Sequence, residues 1–224
     1  MTRIDTVLGC KMIPNDGDAI RAALYDSDGL YAQDEQYLLR AIKDSDKEDY
    51  LRYYREDPMW AKYFDKPDLD PSEGLWRDFT NPGIINTVII RKADGAYCGF
   101  CGLQEFLKSE TPELSIELMP EFQHQGIGTA VVPMLMKHYA DTAGTHVFHA
   151  KVSPSNLPSQ GLMRKLGAIP NGVKPHPGFS EEIAQMMEEL DTPQPENINA
   201  LAEEFSATPR QLRSHVLVYR FDVE

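Results

Sequence analysis

The sequence predicts an α/β (α+β) fold: a mixed sheet with helices on its faces, carried by residues 37–224, with an amino-terminal extension at 1–36 and a helical insertion at about 170–211. Three observations predict it. A chain of 224 residues, 42% hydrophobic, can bury one sizeable core. Short segments of β-branched and alternating apolar residues are interleaved with segments whose apolar residues recur at helical spacing. One predicted strand also passes through a glycine-containing loop directly into a helix followed by another strand, an order that favours a parallel crossing.

Residues 1–36 mix polar and apolar positions around two turns, Asn15-Asp16-Gly17 and Asp28-Gly29, and read as an arm or appended helix. Tyr37 to Ile42 is a short strand, and Asp44-Ser45-Asp46 caps a helix carrying Tyr50, Leu51 and Tyr54. The stretch from Asp57 to Pro82 is rich in Pro, Asp and aromatics, with a short helix predicted from Glu73 to Phe79. Thr87 to Ile90, the turn Ala93-Asp94-Gly95 and the strand from Ala96 to Leu103 form a hairpin. Glu113 to Met119 alternates polar and apolar residues and stops at Pro120, which cannot extend a ladder. Ile127, Val131, Leu135 and Tyr139 follow helical spacing up to Gly144, with Pro133 expected to bend that helix. Thr145 to Val152 is the next strand, and Asn156, Pro158 and Gly167 supply start and stop signals for another helix. Residues 170–178 are dominated by Pro and Gly and read as a break. Two amphipathic helices follow, one marked by Phe179, Ile183, Met187 and Leu190 and one by Ile198, Leu201 and Phe205, with Pro193 and Pro195 between them. His215 to Phe221 closes the chain as a strand.

Charge and composition exclude several classes. With 22 Lys and Arg against 35 Asp and Glu the net charge is −13, and no basic cluster interrupts that excess enough to follow a phosphate backbone, so no nucleic-acid partner is expected. No apolar run approaches the length of a membrane span and no apolar leader follows Met1, so neither membrane insertion nor secretion is expected, and a cytoplasmic location is the expectation. Cys10, Cys98 and Cys101 cannot make a disulfide framework. Cys98 and Cys101 lie three apart in one predicted strand, on opposite faces, and no second Cys pair or close His pair completes a zinc site; no metal is expected, and both are read as buried thiols.

Chemistry concentrates in Gln123-His124-Gln125-Gly126-Ile127-Gly128-Thr129-Ala130, where glycines at a helix start let backbone N–H groups approach an anion. This loop, with Met119-Pro120-Glu121 before it, resembles the acetyl-CoA signature Q/R-x-x-G-x-G/A of the GCN5-related N-acetyltransferase (GNAT) family; Gln123, Gly126 and Gly128 match it. Asn156-Leu157-Pro158-Ser159 and Met163-Arg164-Lys165-Leu166-Gly167-Ala168 resemble the family's second segment, and the opening Tyr37-Leu38-Leu39-Arg40 its first strand. The pattern leans toward the ribosomal-protein acetyltransferase branch. The resemblance implies a GNAT sheet with splayed central strands and acetyl-CoA as co-substrate, held by the pantetheine-pairing edge at Leu118 and Met119, by Gln123, His124, Gln125, Gly126, Ile127, Gly128 and Thr129, and by Asn156 and Ser159. Asn156 is equally well explained as a helix cap.

The implied reaction is direct attack of a primary amine on the thioester. A backbone N–H at Leu118 would steady the developing oxyanion, and a base would take the amine proton. Glu113 is the expected base and Glu117 the second choice, since both share a strand face with Ser115; a solvated strand face explains them too. His149 and His124 rank lower. The family's thiolate-protonating Tyr is replaced by Met163, so a catalytically silent acyl-CoA sensor is the first alternative. A second is a DNA-binding helix-turn-helix at Leu201 to Leu212, poor in basic residues. The amine acceptor, a small molecule or a protein amine, is not encoded in a readable way. The insertion is expected to cover the acceptor side of the cleft, docking its apolar residues on the domain or, in a homodimer, on a second subunit.

Overall fold

A computed structural model describes residues 17–57, 60–66, 70–104, 106, 111–190 and 196–224. Cys10, the Asn15-Asp16 turn residues and the Pro193 and Pro195 hinge lie outside the described residues. The chain forms one eight-stranded mixed sheet in the order β1-β2-β3-β4-β5-β6-β8-β7. Its strands are β1 (Leu30–Gln33), β2 (Tyr37–Arg40), β3 (Ile85–Arg91), β4 (Ala96–Gln104), β5 (Glu113–Leu118), β6 (Val147–Val152), β7 (Ile169–Pro175) and β8 (His215–Asp222). The helices are α1 (Gly17–Leu24), α2 (Lys47–Glu56), α3 (Ala61–Phe64), α4 (Ser72–Phe79), α5 (Ile127–Ala143), α6 (Leu157–Lys165), α7 (Glu181–Glu189) and α8 (Ile198–Glu204).

Helices α1, α5 and α8 help build the main core. Val131, Val132 and Leu135 of α5 are fully buried against Leu39, Ile89, Leu103 and Phe148 of the sheet. Pro133 stands inside α5 without breaking it, and Gly144 ends it in the left-handed conformation. A second cluster joins α2 and α4 to β4, where Tyr50 stacks on Phe79 with ring centroids 4.0 Å apart and both meet Phe100. The start of α2 is fixed by Asp46, whose carboxylate takes both guanidinium nitrogens of Arg40 at 2.7 and 2.8 Å and the Lys43 N–H at 2.7 Å.

Four expectations change. From Gly17 onward the presumed extension is integral: Leu24 and Tyr31 are buried, the Tyr31 hydroxyl donates to Leu135 O at 3.1 Å, and β1 pairs with β2. Cys98 and Cys101 do not point to opposite faces, because the β3–β4 register shifts between Ile89 and Ile90 beside Gly99 (φ +138°), and both thiols enter the same core cluster. Burial raises both thiols, Cys101 to about 12. The Pro- and Gly-rich break at 170 is an edge strand: β7 pairs with β8, its prolines sit where no further strand needs an N–H, and Gly172 (φ +77°) falls in a register shift. No helix-turn-helix forms, since α8 is followed by a 3₁₀ turn at Gln211–Arg213 that runs directly into β8.

Candidate functional site

Strands β5 and β6 are parallel but pair only at Glu113 and His149, where the His149 N–H donates to Pro112 O at 3.0 Å; beyond that point they part. In the β4–β5 ladder the Met119 N–H donates to Cys98 O at 3.0 Å. Because N–H groups along a strand point alternately to its two sides, that of Leu118 points into the gap toward β6. The splay thus exposes the edge of β5 just before the glycine loop.

The loop is shaped for backbone donation. After the 3₁₀ turn Pro120–Phe122, His124 (φ +58°) and Gly126 (φ +81°) take left-handed conformations, and α5 begins with no side chain capping it. Its first-turn amides open into a cleft of about 610 Å³ between β5, α5 and α6. At Gly128 an added Cβ would lie 2.9 Å from Leu162 Cδ2, so the missing side chain is what lets α6 pack this close to the loop. At the start of α6, Asn156 accepts from the Ser159 N–H at 3.1 Å, a cap that fully accounts for the side chain's geometry. Open amides at a helix start, with Lys165 on the opposite wall, suit a ligand bearing phosphates.

The cleft brings together Glu117, Leu118, Gln123, His124, Gly126, Ile127, Gly128, Thr129, Asn156 and Ser159. Three candidates are not among its lining residues. Met119 is buried in the core, and Gln125 turns back so that its amide donates to Glu121 O at 2.5 Å. Glu113 sits where β5 and β6 are still joined, ion-paired with Lys151 at 2.5 Å. His149 stands on the same closed part of the sheet, 3.2 Å from the Asn171 amide, and burial with Lys174 and Arg220 nearby lowers its proton affinity. Met163 is buried and faces the core, so no side chain stands in for the missing Tyr at that position. No residue of α7 or α8 lines the cleft; Leu201, Ala202 and Phe205 are in the main core instead, with Phe205 edge-on to Tyr219.

Sequence reasoning missed Tyr53 and Lys165 as lining residues. Lys165 was legible, since it falls in the quoted segment with Leu166 and Gly167. Tyr53 carried no local signal because its contact bridges 64 residues: its hydroxyl donates to Glu117 Oε2 at 2.5 Å. Glu117 meets solvent through the cleft mouth while protein surrounds its other sides. Burial raises its carboxyl above the usual range, the Tyr53 hydrogen bond pulls it partly back, and Asp57 pushes it up again. Burial and the adjacent Glu117 hold the Tyr53 hydroxyl firmly protonated. Arg52 bonds Glu121 at 2.9 Å, tying α2 to the residues that lead into the loop. Among the described residues no group of three or more His, Cys, Asp or Glu could hold a metal ion, and no helix is long and apolar enough to cross a membrane.

A mixed sheet splayed at its centre, with a glycine loop and helix start at the opening, defines an acyl-CoA-dependent acyltransferase architecture. The family model "Acetyltransferase (GNAT) domain" matches residues 36–169, and the chain belongs to the GNAT acetyltransferase family. Solved structures agree on the fold. RimJ of Mycobacterium smegmatis, in complex with CoA-disulfide, superposes with a TM-score of 0.55 at 16% identity, covering 83% of this chain and 81% of that one. Ribosomal-protein-S5-alanine acetyltransferase from Vibrio fischeri gives 0.53 at 15% identity, over 86% and 96%. The microcin C7 self-immunity acetyltransferase MccE, in complex with acetyl-CoA and AMP, gives 0.57 at 15% identity, over 90% and 99%. No curated protein sequence matches significantly.

Proposed function

We propose that the protein is an acetyl-CoA-dependent N-acetyltransferase acting on a primary amine, with Glu117 as the base. The observation that carries this reading is the meeting, in one cleft, of open first-turn amides at Ile127 to Thr129 and a carboxylate with raised proton affinity at Glu117. The amides, the helix dipole and Lys165 would hold the phosphates of the co-substrate, local donors that offset the unfavourable net charge of −13. Gly126 and Gly128 let the backbone approach them. The pantetheine arm would lie along the exposed edge of β5, and the Leu118 N–H is the donor for the thioester oxygen.

An alkylamine with a pKa near ~10 arrives protonated at neutral pH and must lose a proton before it attacks. Glu117 would take that proton; the amine nitrogen then bonds the acyl carbon as the C–S bond breaks, and the second proton shed by the nitrogen goes to the leaving thiolate, giving the amide and free CoA. A base whose proton affinity is raised toward neutrality does this better than an ordinary carboxylate. Glu113, fixed by Lys151 outside the cleft, is poorly placed for the role.

Two measurements test the reading. Calorimetry with acetyl-CoA should show binding that Gly126→Asp and Gly128→Glu abolish; unchanged affinity would remove the phosphate assignment. Thiol release over a panel of primary amines should fall sharply in Glu117→Gln and little in Glu113→Gln, with partial recovery of Glu117→Gln at alkaline pH. The reverse pattern would return the base to Glu113, and absence of product with every amine would favour the sensor.

A further inference from the structure

Helix α2 contributes a group to the cleft that neither the glycine loop nor the α6 segment anticipates. We propose that Tyr53 is a positioning residue for Glu117: its hydroxyl occupies Oε2, orients Oε1 for the acceptor, and lowers the pH at which the carboxylate is free to take a proton. The inference rests on the reading of Glu117 as base and deepens it.

The Tyr53 hydroxyl meets Glu117 Oε2 at 2.5 Å, a charge-assisted bond across two elements far apart in sequence. The ring that carries it is held independently. Tyr53 packs edge-on against Tyr54 at 5.2 Å and against Phe100 at 6.3 Å, and α2 is anchored at its start by Asp46 with Arg40. The hydroxyl therefore has a fixed origin and can constrain a carboxylate that solvent would otherwise let rotate. Tyr54 of α2 and Asp57 at its carboxyl end interact electrostatically with the same carboxylate, His124 of the loop and Lys165 of α6 line the same cleft, and Arg52 is engaged with Glu121. Burial and Asp57 both favour the protonated acid, so without Tyr53 the base would stay neutral over more of the working range. Tyr53 itself keeps its proton throughout; the proton from the amine goes to Oε1.

Tyr53→Phe removes the hydroxyl and preserves the ring contacts. With ¹³C-carboxyl-labelled glutamate, the Glu117 resonance, assigned by its loss in Glu117→Gln, should titrate above an ordinary glutamate in the wild type. Tyr53→Phe should move it up by about one further pH unit, the size expected for losing a hydrogen bond to a charge that solvent partly screens. The acid limb of kcat/KM against pH should move by the same amount in the same direction, with acetyl-CoA affinity unchanged. A Glu117 midpoint that stays put in folded Tyr53→Phe, while Glu117→Gln loses turnover, overturns the role of Tyr53 and leaves Glu117 as base. Wild-type turnover in Glu117→Gln instead overturns the base itself.

Discussion

Gly99 links the fold to the site, and replacing it should damage both. It faces Leu118 across the β4–β5 ladder with φ +138°, and an added Cβ would lie 2.1 Å from Glu117 O and 2.9 Å from Leu118 Cα. These are backbone atoms of a central strand, so the clash is relieved only by pushing β5 away from β4. Overpacking of this kind costs about 1–3 kcal/mol. Forcing a Cβ into that conformation adds about 1–3 kcal/mol. Gly99→Ala should therefore lose about 4 kcal/mol. Gly95 is the control: it has φ +72° in the β3–β4 turn with nothing within 4 Å of an added Cβ, so Gly95→Ala carries only the conformational cost of about 1 kcal/mol. At 2–4 °C per kcal/mol for a domain this size, Gly99→Ala should melt about 6–12 °C below Gly95→Ala. Calorimetric melts of both variants at the same pH check this. Because the displaced atoms belong to Glu117 and Leu118, turnover should also fall at temperatures where Gly99→Ala is fully folded. Melting points within about 3 °C of each other would refute the reasoning, since they would show that β5 moves aside at little cost.

Glu117→Gln should stabilise the protein at neutral pH. Its carboxyl is raised in the folded state, so the ionised form there opposes folding; the gain should be present above the folded pKa and vanish below the unfolded one near ~4.3, as urea titrations at pH 7 and pH 3.5 would show. Asp46 has the opposite sign. Burial raises it, but the Arg40 and Lys43 bonds together hold it below the usual carboxylate range, so it stabilises above its unfolded pKa near ~3.9 and that contribution is lost as pH falls through the folded value. Asp46→Asn should cost about 3 kcal/mol at pH 7, and less in acid, because it leaves the largely buried Arg40 without its counter-charge. Phe205→Ala should cost about 3–5 kcal/mol by chemical denaturation while leaving acetyl-CoA affinity intact, since Phe205 fills the core against Tyr219 and lies outside the cleft.

What the sequence discloses and what it hides follow from the range of the interactions concerned. The hairpin at Ala93 to Gly95, the Pro120 stop, the Gly144 end of α5 and the Asn156 start of α6 are local rules of turn and cap chemistry, and each is met. The cleft loop is legible for the same reason, because its glycines and its helix start are adjacent in the chain. Contacts across the sheet leave no local trace. That Glu113 is engaged by Lys151 while Glu117 is engaged by Tyr53 decides which carboxylate stands in the cleft, yet both glutamates show the same strand alternation. The strand-face argument for the two cysteines failed at a β-bulge, which adds one residue and reverses the alternation beyond it. β1 was missed because four residues are too few to display a period.

The helical insertion shows how a correct reading of elements can still mislead about role. Both helices exist, but their apolar residues part company. Leu201 and Ala202 of α8 and Phe205 at its C-cap are buried with Met163 and Tyr219, and Arg164 pairs with Glu204 at 2.8 Å, so α8 is a piece of the domain core. Ile183 and Met186 of α7 and Leu190 just after it remain exposed, and that helix is tied down by Glu188, which takes the Ser214 hydroxyl at 2.5 Å. Removing Phe179 to Ser206 would therefore extract Leu201 and Phe205 together. By large-to-small substitution costs that is on the order of 5–10 kcal/mol, most of the roughly 5–15 kcal/mol by which a domain is stable, so such a deletion should not fold. The choice of acceptor must then be sought elsewhere. The residues that meet the carboxylate in the cleft come from α2, β5 and the glycine loop, and α2 is itself fixed through Asp46 and the Tyr50, Phe79 and Phe100 stack. Substitutions along α2 should consequently alter which amines react, whereas substitutions in α8 should alter only how much folded protein there is to react with them.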